Sequence, residues 1–159
     1  MCGIAGFFTY RGSAEAPSQS TLERIRDAMI PRGPDGAGLW IEEDGRTGLA
    51  HRRLSIIDLS NAGGQPMHSA DGRLALVFNG EIYNYRALRT ELEAQGQVFR
   101  SHSDTEVILH LYAREGTAML ARLRGMFAIA LWNRDSRELL VARDPYGIKP
   151  FYFADVGGT

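Results

Sequence analysis

Apolar residues recur along the chain in two spacings, and the alternation between them predicts the elements. Gly3 to Thr9 is a short apolar run that ends at the turn Tyr10–Arg11–Gly12, so it reads as a buried strand. After a loop rich in Ser, Ala and Pro, Ser20–Thr21–Leu22–Glu23 has the form of a capping box. Leu22, Ile25, Met29 and Ile30 then keep roughly helical spacing, which predicts a helix over 21–30. That helix cannot pass Pro31–Arg32–Gly33–Pro34–Asp35–Gly36. Two strands follow at 37–42 and 46–51, on either side of the turn Glu43–Asp44–Gly45.

From Asp58 to Gly72 the chain is loop-like. Leu74 to Phe78 is an apolar strand that runs straight into Asn79–Gly80–Glu81. Asn84 can cap a helix that reaches about Gln95, with Leu88 and Leu92 on its buried face. Ser103–Asp104–Thr105–Glu106 is a second capping box and predicts a helix over 104–114. A short helix is expected near 117–123. Met126–Trp132 and Glu138–Ala142 form a β-hairpin around Asn133–Arg137. No repeat, low-complexity tract or linker divides the chain, so the pattern predicts a single α+β domain over 1–159.

Composition adds mainly exclusions. The chain has 159 residues, with 18 basic and 19 acidic side chains and a net charge of −1. This balance argues against a nucleic-acid or membrane-surface binder, which would need clustered positive charge. The apolar run Met126–Trp132 is too short to span a bilayer. The start lacks a basic region, and polar residues arrive by Thr9, Tyr10 and Arg11, so no secretory leader is expected. Cys2 occupies the position where myristoylation needs glycine. One cysteine permits no internal disulfide and no multi-cysteine zinc site.

Chemical motifs are few. Neither a phosphate-binding G-x-x-x-x-G-K-[ST] loop nor a G-x-S-x-G elbow is present. His51, His68, His102 and His110 show no metal-binding spacing and read as surface or helix-packing residues, so no metal site is expected. Cys2 therefore has no evident histidine base, and only ~3% of an ordinary thiol is thiolate at neutral pH. Removing Met1 would free the Cys2 α-amine, whose reference pKa of ~7.7–8.0 suits a base for its own thiol. The plain alternative is a small, inert residue in an edge strand.

Six segments occur in order: Cys2–Gly6 (CGIAG), Arg32–Asp35 (RGPD), His51–Asp58 (HRRLSIID), Asn79–Asn84 (NGEIYN), Ser103–Glu106 (SDTE) and Arg143–Pro150 (RDPYGIKP). Together they resemble the class II glutamine amidotransferase domain, an N-terminal-nucleophile hydrolase. The likeness is strongest to the N-terminal glutaminase domain of glutamine-hydrolysing asparagine synthetase and covers essentially the whole chain. It implies a four-layer αββα sandwich of two mostly antiparallel sheets between helical layers.

The resemblance also implies roles. Cys2 would attack the side-chain amide of L-glutamine, release ammonia and form a thioester that water resolves to glutamate, with the freed α-amine as base. The Asn79 side chain and the Gly80 N–H would form the oxyanion hole, at a strand end feeding a glycine turn. Arg53 would hold the α-carboxylate, which fits a guanidinium fork. Asp104 would pair with the α-ammonium, and Glu81 would contribute to the same subsite. Leu54, Ser55, Ile56 and Ile57 would shape the pocket, with Arg32 and Ser103 in support. Singly, Arg53 also reads as a surface arginine, Asn79–Gly80 as a turn and Asp104 as a helix cap. Pro31 stands where the family commonly has histidine, so any contact of that histidine is lost.

Further expectations follow from the likeness. An ATP-dependent synthetase domain would lie outside these residues and receive the ammonia, and ATP and magnesium would bind only there. No cofactor is expected in 1–159, the location is cytoplasmic, and a homodimer is compatible. Two alternatives stay open: an asparagine-synthetase-like amidotransferase with another acceptor, and an idle glutamine-binding module.

Overall fold

The computed structural model describes residues 1–12 and 14–159. Its strands are β1 (Gly3–Phe8), β2 (Gly36–Ile41), β3 (Thr47–Arg53), β4 (Met67–His68), β5 (Leu74–Ile82), β6 (Gly125–Asn133) and β7 (Glu138–Arg143). Its α-helices are α1 (Gln19–Ala28), α2 (Tyr85–Ala94) and α3 (Asp104–Glu115). One sheet runs β1-β3-β2 and the other β4-β5-β6-β7, and every pairing is antiparallel. Helix α1 packs on the first sheet, α3 packs on β5 of the second with α2 beside it, and β3 and β1 meet β5 across the middle. This is the expected αββα sandwich.

Residue alternation sorts the side chains of β5. Leu74, Leu76, Phe78 and Ile82 point toward the helices and join Leu88, Leu92, Val107, Ile108 and Leu111 in the larger core. Ala75 and Val77 point the other way, into a smaller core with Leu49, Ala130 and Trp132. A polar clamp crosses this inner layer. The Glu42 carboxylate, just past β2, accepts from Trp132 Nε1 at 2.8 Å and from Arg134 Nη2 at 2.7 Å. The Arg134 guanidinium, more than any other group, holds the Glu42 carboxyl down at about 2.

Several elements depart from the sequence expectation. Helix α1 begins two residues early because Ser18, not Ser20, accepts the N–H of Thr21. Pro31 then sits in a 3-10 turn, Ile30–Arg32. Asn84 precedes α2 without capping it; its side chain instead bonds Arg122 O and Arg124 N. Ser103 caps α3, yet Glu106 does not close the box, because it takes the N–H groups of Arg100 and Ser101 and the Ser101 hydroxyl. The segment near 117–123 is a 3-10 helix, Gly116–Arg122. Asn79–Gly80–Glu81 is not a turn: β5 continues through it, paired with Met126–Ala128.

Candidate active site

Cys2 lies just before β1, in peptide linkage to Met1, and its thiol faces the chain that leaves β3. Leu54 N–H donates to Sγ at 3.4 Å, and Sγ lies 3.6 Å from Leu54 O. Arg32 Nε donates to the Cys2 carbonyl at 3.2 Å. The turn containing Arg32 is in turn tied to the end of β3, since Arg52 Nε donates to Gly33 O and Asp35 accepts from Ser55 N–H. The four-residue segment read from the sequence thus fixes the backbone around the thiol.

Beyond β3 the chain wraps over Arg53. The guanidinium donates to Ser60 O at 2.7 Å and to Asp58 O. Gly63 allows this, because a Cβ there would meet Arg53 Nη2 at 2.4 Å. Asp58 pins the same loop by accepting from Ser60 and from His102 N–H.

The outer edge of β5 supplies the opposite wall. Phe127 uses its N–H and C=O on Asp144, toward the β7 side, so its cross-strand partner Gly80 turns its own N–H away from β6. The same alternation turns the N–H groups of Phe78 and Ile82 outward. Phe78 donates to Gln65 Oε1 at 2.6 Å and Ile82 to Asp104 Oδ2 at 2.9 Å. Among the described residues, Gly80 N–H between them has no partner. Glycine is required there, since a Cβ would meet Met126 O at 2.1 Å. The Asn79 side chain, on the inner face, is also buried without a hydrogen bond among the described residues.

These parts enclose a cleft of about 120 Å³. Cys2, Arg53, Leu54, Ile56, Ile57, Asn79, Gly80, Glu81, Ser103 and Asp104 all line it. Ser55 does not, being held by Asp35, and Arg32 lines a neighbouring larger cavity. Burial raises the Asp104 carboxyl above its usual range, and the Glu81 carboxylate adds to this, against the Ile82 N–H. A buried acid beside a second acid is suited to receive a cation.

Sequence reasoning missed Gln65, Thr105 and Lys149 in the cleft lining. Gln65 bridges Phe78 N–H to Thr105 Oγ1, a role without a sequence signal. His51 is neither a surface nor a helix-packing residue. It stands on the inner face of β3 with Nε2 buried and unbonded among the described residues. Burial, chiefly, pulls its imidazole down to about 4; the charges of Arg53 and Arg52 add to that, and a backbone contact from Phe78 opposes it. Among the described residues, no group of three or more His, Cys, Asp or Glu could hold a metal ion, and no helix is long and apolar enough to cross a membrane.

Comparison with known proteins gives the family. The family model described as a glutamine amidotransferase domain matches residues 1–159, and the chain belongs to that family. It is similar to asparagine synthetase [glutamine-hydrolyzing] 1 of Bacillus subtilis, 44% identical over 98% of this chain and 24% of that protein. A putative asparagine synthetase [glutamine-hydrolyzing] of Mycobacterium tuberculosis is 46% identical over 100% of this chain and 26% of its own length. Amidase chry2 of Gibberella zeae is 39% identical over 96% and 24%. The chain thus spans about a quarter of the length of these relatives. Among solved structures, glutamine phosphoribosylpyrophosphate amidotransferase from B. subtilis has a TM-score of 0.73 at 26% identity, over 92% of this chain and 38% of that one.

Proposed function

We propose that the cleft hydrolyses the side-chain amide of L-glutamine, with Cys2 as nucleophile once Met1 is removed. The observation that carries this reading is the unsatisfied pair of donors on β5, the Gly80 N–H and the Asn79 amide, in the same cleft as the Cys2 thiol. In the first step Sγ bonds to the amide carbon, the carbonyl π pair moves onto oxygen, and the α-amine takes the thiol proton. Collapse restores the carbonyl, breaks the C–N bond and releases ammonia with that proton. Water then cleaves the thioester to glutamate. Fixed donors at the oxygen act where charge develops, which is where they lower the barrier.

Substrate recognition follows from the charged ends of the cleft. Arg53 takes the α-carboxylate, and Asp104 with Glu81 takes the α-ammonium. Leu54, Ile56 and Ile57 line the floor, while Arg32 and Ser103 hold the surrounding backbone. In the intact protein the ammonia passes to an ATP- and magnesium-dependent synthetase domain. The similarity to two asparagine synthetases favours aspartate as acceptor, and the amidase relative supports an amidotransferase with a different acceptor.

The test is glutamate release from glutamine by protein whose intact mass shows Met1 removed. Turnover should vanish in Cys2→Ala and in protein that retains Met1. Absence of any Cys2-dependent release from Met1-free protein would overturn the reading.

A further inference from the structure

Lys149 is the sole lysine of the chain; every other one of its 18 basic side chains is arginine. It is also the best-hidden cation, 4% exposed, although it follows β7 in a loop whose neighbours Tyr146 and Ile148 are exposed. The loop is held from inside. Asp144, itself buried, accepts the N–H groups of Tyr146, Ile148, Lys149 and Phe127. Lys149 is therefore built into place beside β6 and sends its side chain into the Cys2 cleft.

Among the described residues the ammonium there has no anionic partner. Its one side-chain hydrogen bond is to Met1 Sδ at 2.9 Å, and it forms no ion pair among the described residues. A thioether is a weak acceptor, and burying a cation without a counter-charge is costly. The contact sits on the residue whose removal frees the Cys2 α-amine. Loss of Met1 takes away that one contact and leaves the ammonium in the cleft that holds the Cys2 thiol. Arg53, anchored by the 58–63 loop, is assigned to the substrate carboxylate in the reading above, so a second cation is left over in the cleft that holds the Cys2 thiol.

We propose that Lys149 is a further residue of the reaction, placing a fixed positive charge against the oxygen that becomes negative as Cys2 attacks the amide. It reinforces the Asn79 and Gly80 donors rather than binding the ground-state amino acid. The proposal rests on the glutaminase reading above. It also accounts for the use of lysine: a compact ammonium fits beside a single oxygen, where a planar guanidinium would demand a bidentate partner.

The test compares Lys149→Met with the parent, both with Met1 removed. Loss of one transition-state contact should lower kcat about 10- to 100-fold, toward the range seen for single oxyanion donors, with KM within about threefold. The melting temperature should hold or rise, because an unpaired buried charge has gone. In a Cys2→Ala background, glutamine affinity by calorimetry should be the same with and without Lys149→Met. If Lys149→Met loses its cooperative melting transition, Lys149→Gln serves the same comparison. A kcat within about threefold of the parent overturns the inference, as does a defect confined to KM or a weakened glutamine affinity in the Cys2→Ala background. A parent that melts normally but shows no Cys2-dependent turnover overturns the glutaminase reading, and this inference with it.

Discussion

The two faces of β5 are built on opposite lines. Toward the helices, Leu74, Leu76, Phe78 and Ile82 sit in a continuous apolar core with α2 and α3. Toward the first sheet, Ala75 and Val77 share the inner layer with buried polar groups: Asn79 on the same strand, Thr47 and His51 on β3, and Glu42 beyond β2. Thr47 Oγ1 and His51 Nε2 are sealed from solvent and have no hydrogen-bond partner among the described residues, whereas the unbonded Asn79 lines the cleft. Unpaired buried polar atoms cost stability, so the inner layer contributes less than its area suggests. One strand thus divides its side chains between an apolar face toward the helices and a face that shares its layer with buried polar groups.

The sharpest test of this division pairs two truncations three residues apart. Leu76→Ala should cost about 2–5 kcal/mol of unfolding free energy, read by denaturant melts, while turnover per folded molecule stays near the parent value. Asn79→Ala should do the reverse, with about 10²–10³-fold lost turnover and little change in the denaturation midpoint. If Asn79→Ala instead destabilises as much as Leu76→Ala, both faces serve the fold and the division fails.

His51 sharpens the contrast through pH. Its folded pKa of about 4 lies below the ordinary imidazole value of 6.5, so the folded state favours the neutral ring. The associated stability is complete above pH 6.5 and is lost as pH falls from 6.5 to about 4. The loss should reach about 3 kcal/mol, and His51→Gln should flatten that part of the stability–pH curve. The smallest effect belongs to the α3 cap. Ser103→Ala should cost about 1 kcal/mol, measurable as a shifted midpoint.

Much of the outer architecture was readable in the order of residues, because helix periodicity, turn residues and strand runs are local. Leu88 and Leu92 lie buried on α2 as their spacing requires, and the Glu43–Asp44–Gly45 turn joins β2 to β3. What escaped depends on partners distant in sequence. Gly80 looked like a turn residue, since glycine after Asn commonly is one; its actual constraint is Met126 O across the ladder. Glu106 matched a capping box, but the chain at Arg100 and Ser101 offered it better donors. Within the cleft, Cys2 stood out by its place directly after Met1, whereas Arg53 and Asp104 were marked only by the family resemblance, since singly they read as a surface arginine and a helix cap. Gln65 did not, because a glutamine bridging Phe78 to Thr105 looks like any other. Lys149 did leave a trace: it is a lone lysine in a chain that otherwise uses arginine.

The Glu42 clamp turns the inner layer into something that can be watched. The chain has two tryptophans. Trp132 donates its indole N–H to Glu42 from the second sheet, and Trp40 packs on the same inner core from the first, its ring 5.6 Å from that of His68. Every indole in the molecule therefore looks into the gap between the sheets, and none faces the helical core. Tryptophan emission becomes an optical gauge of sheet separation, blind to fraying of α2 or α3, and able to follow the opening of the layer that holds the buried polar groups in real time.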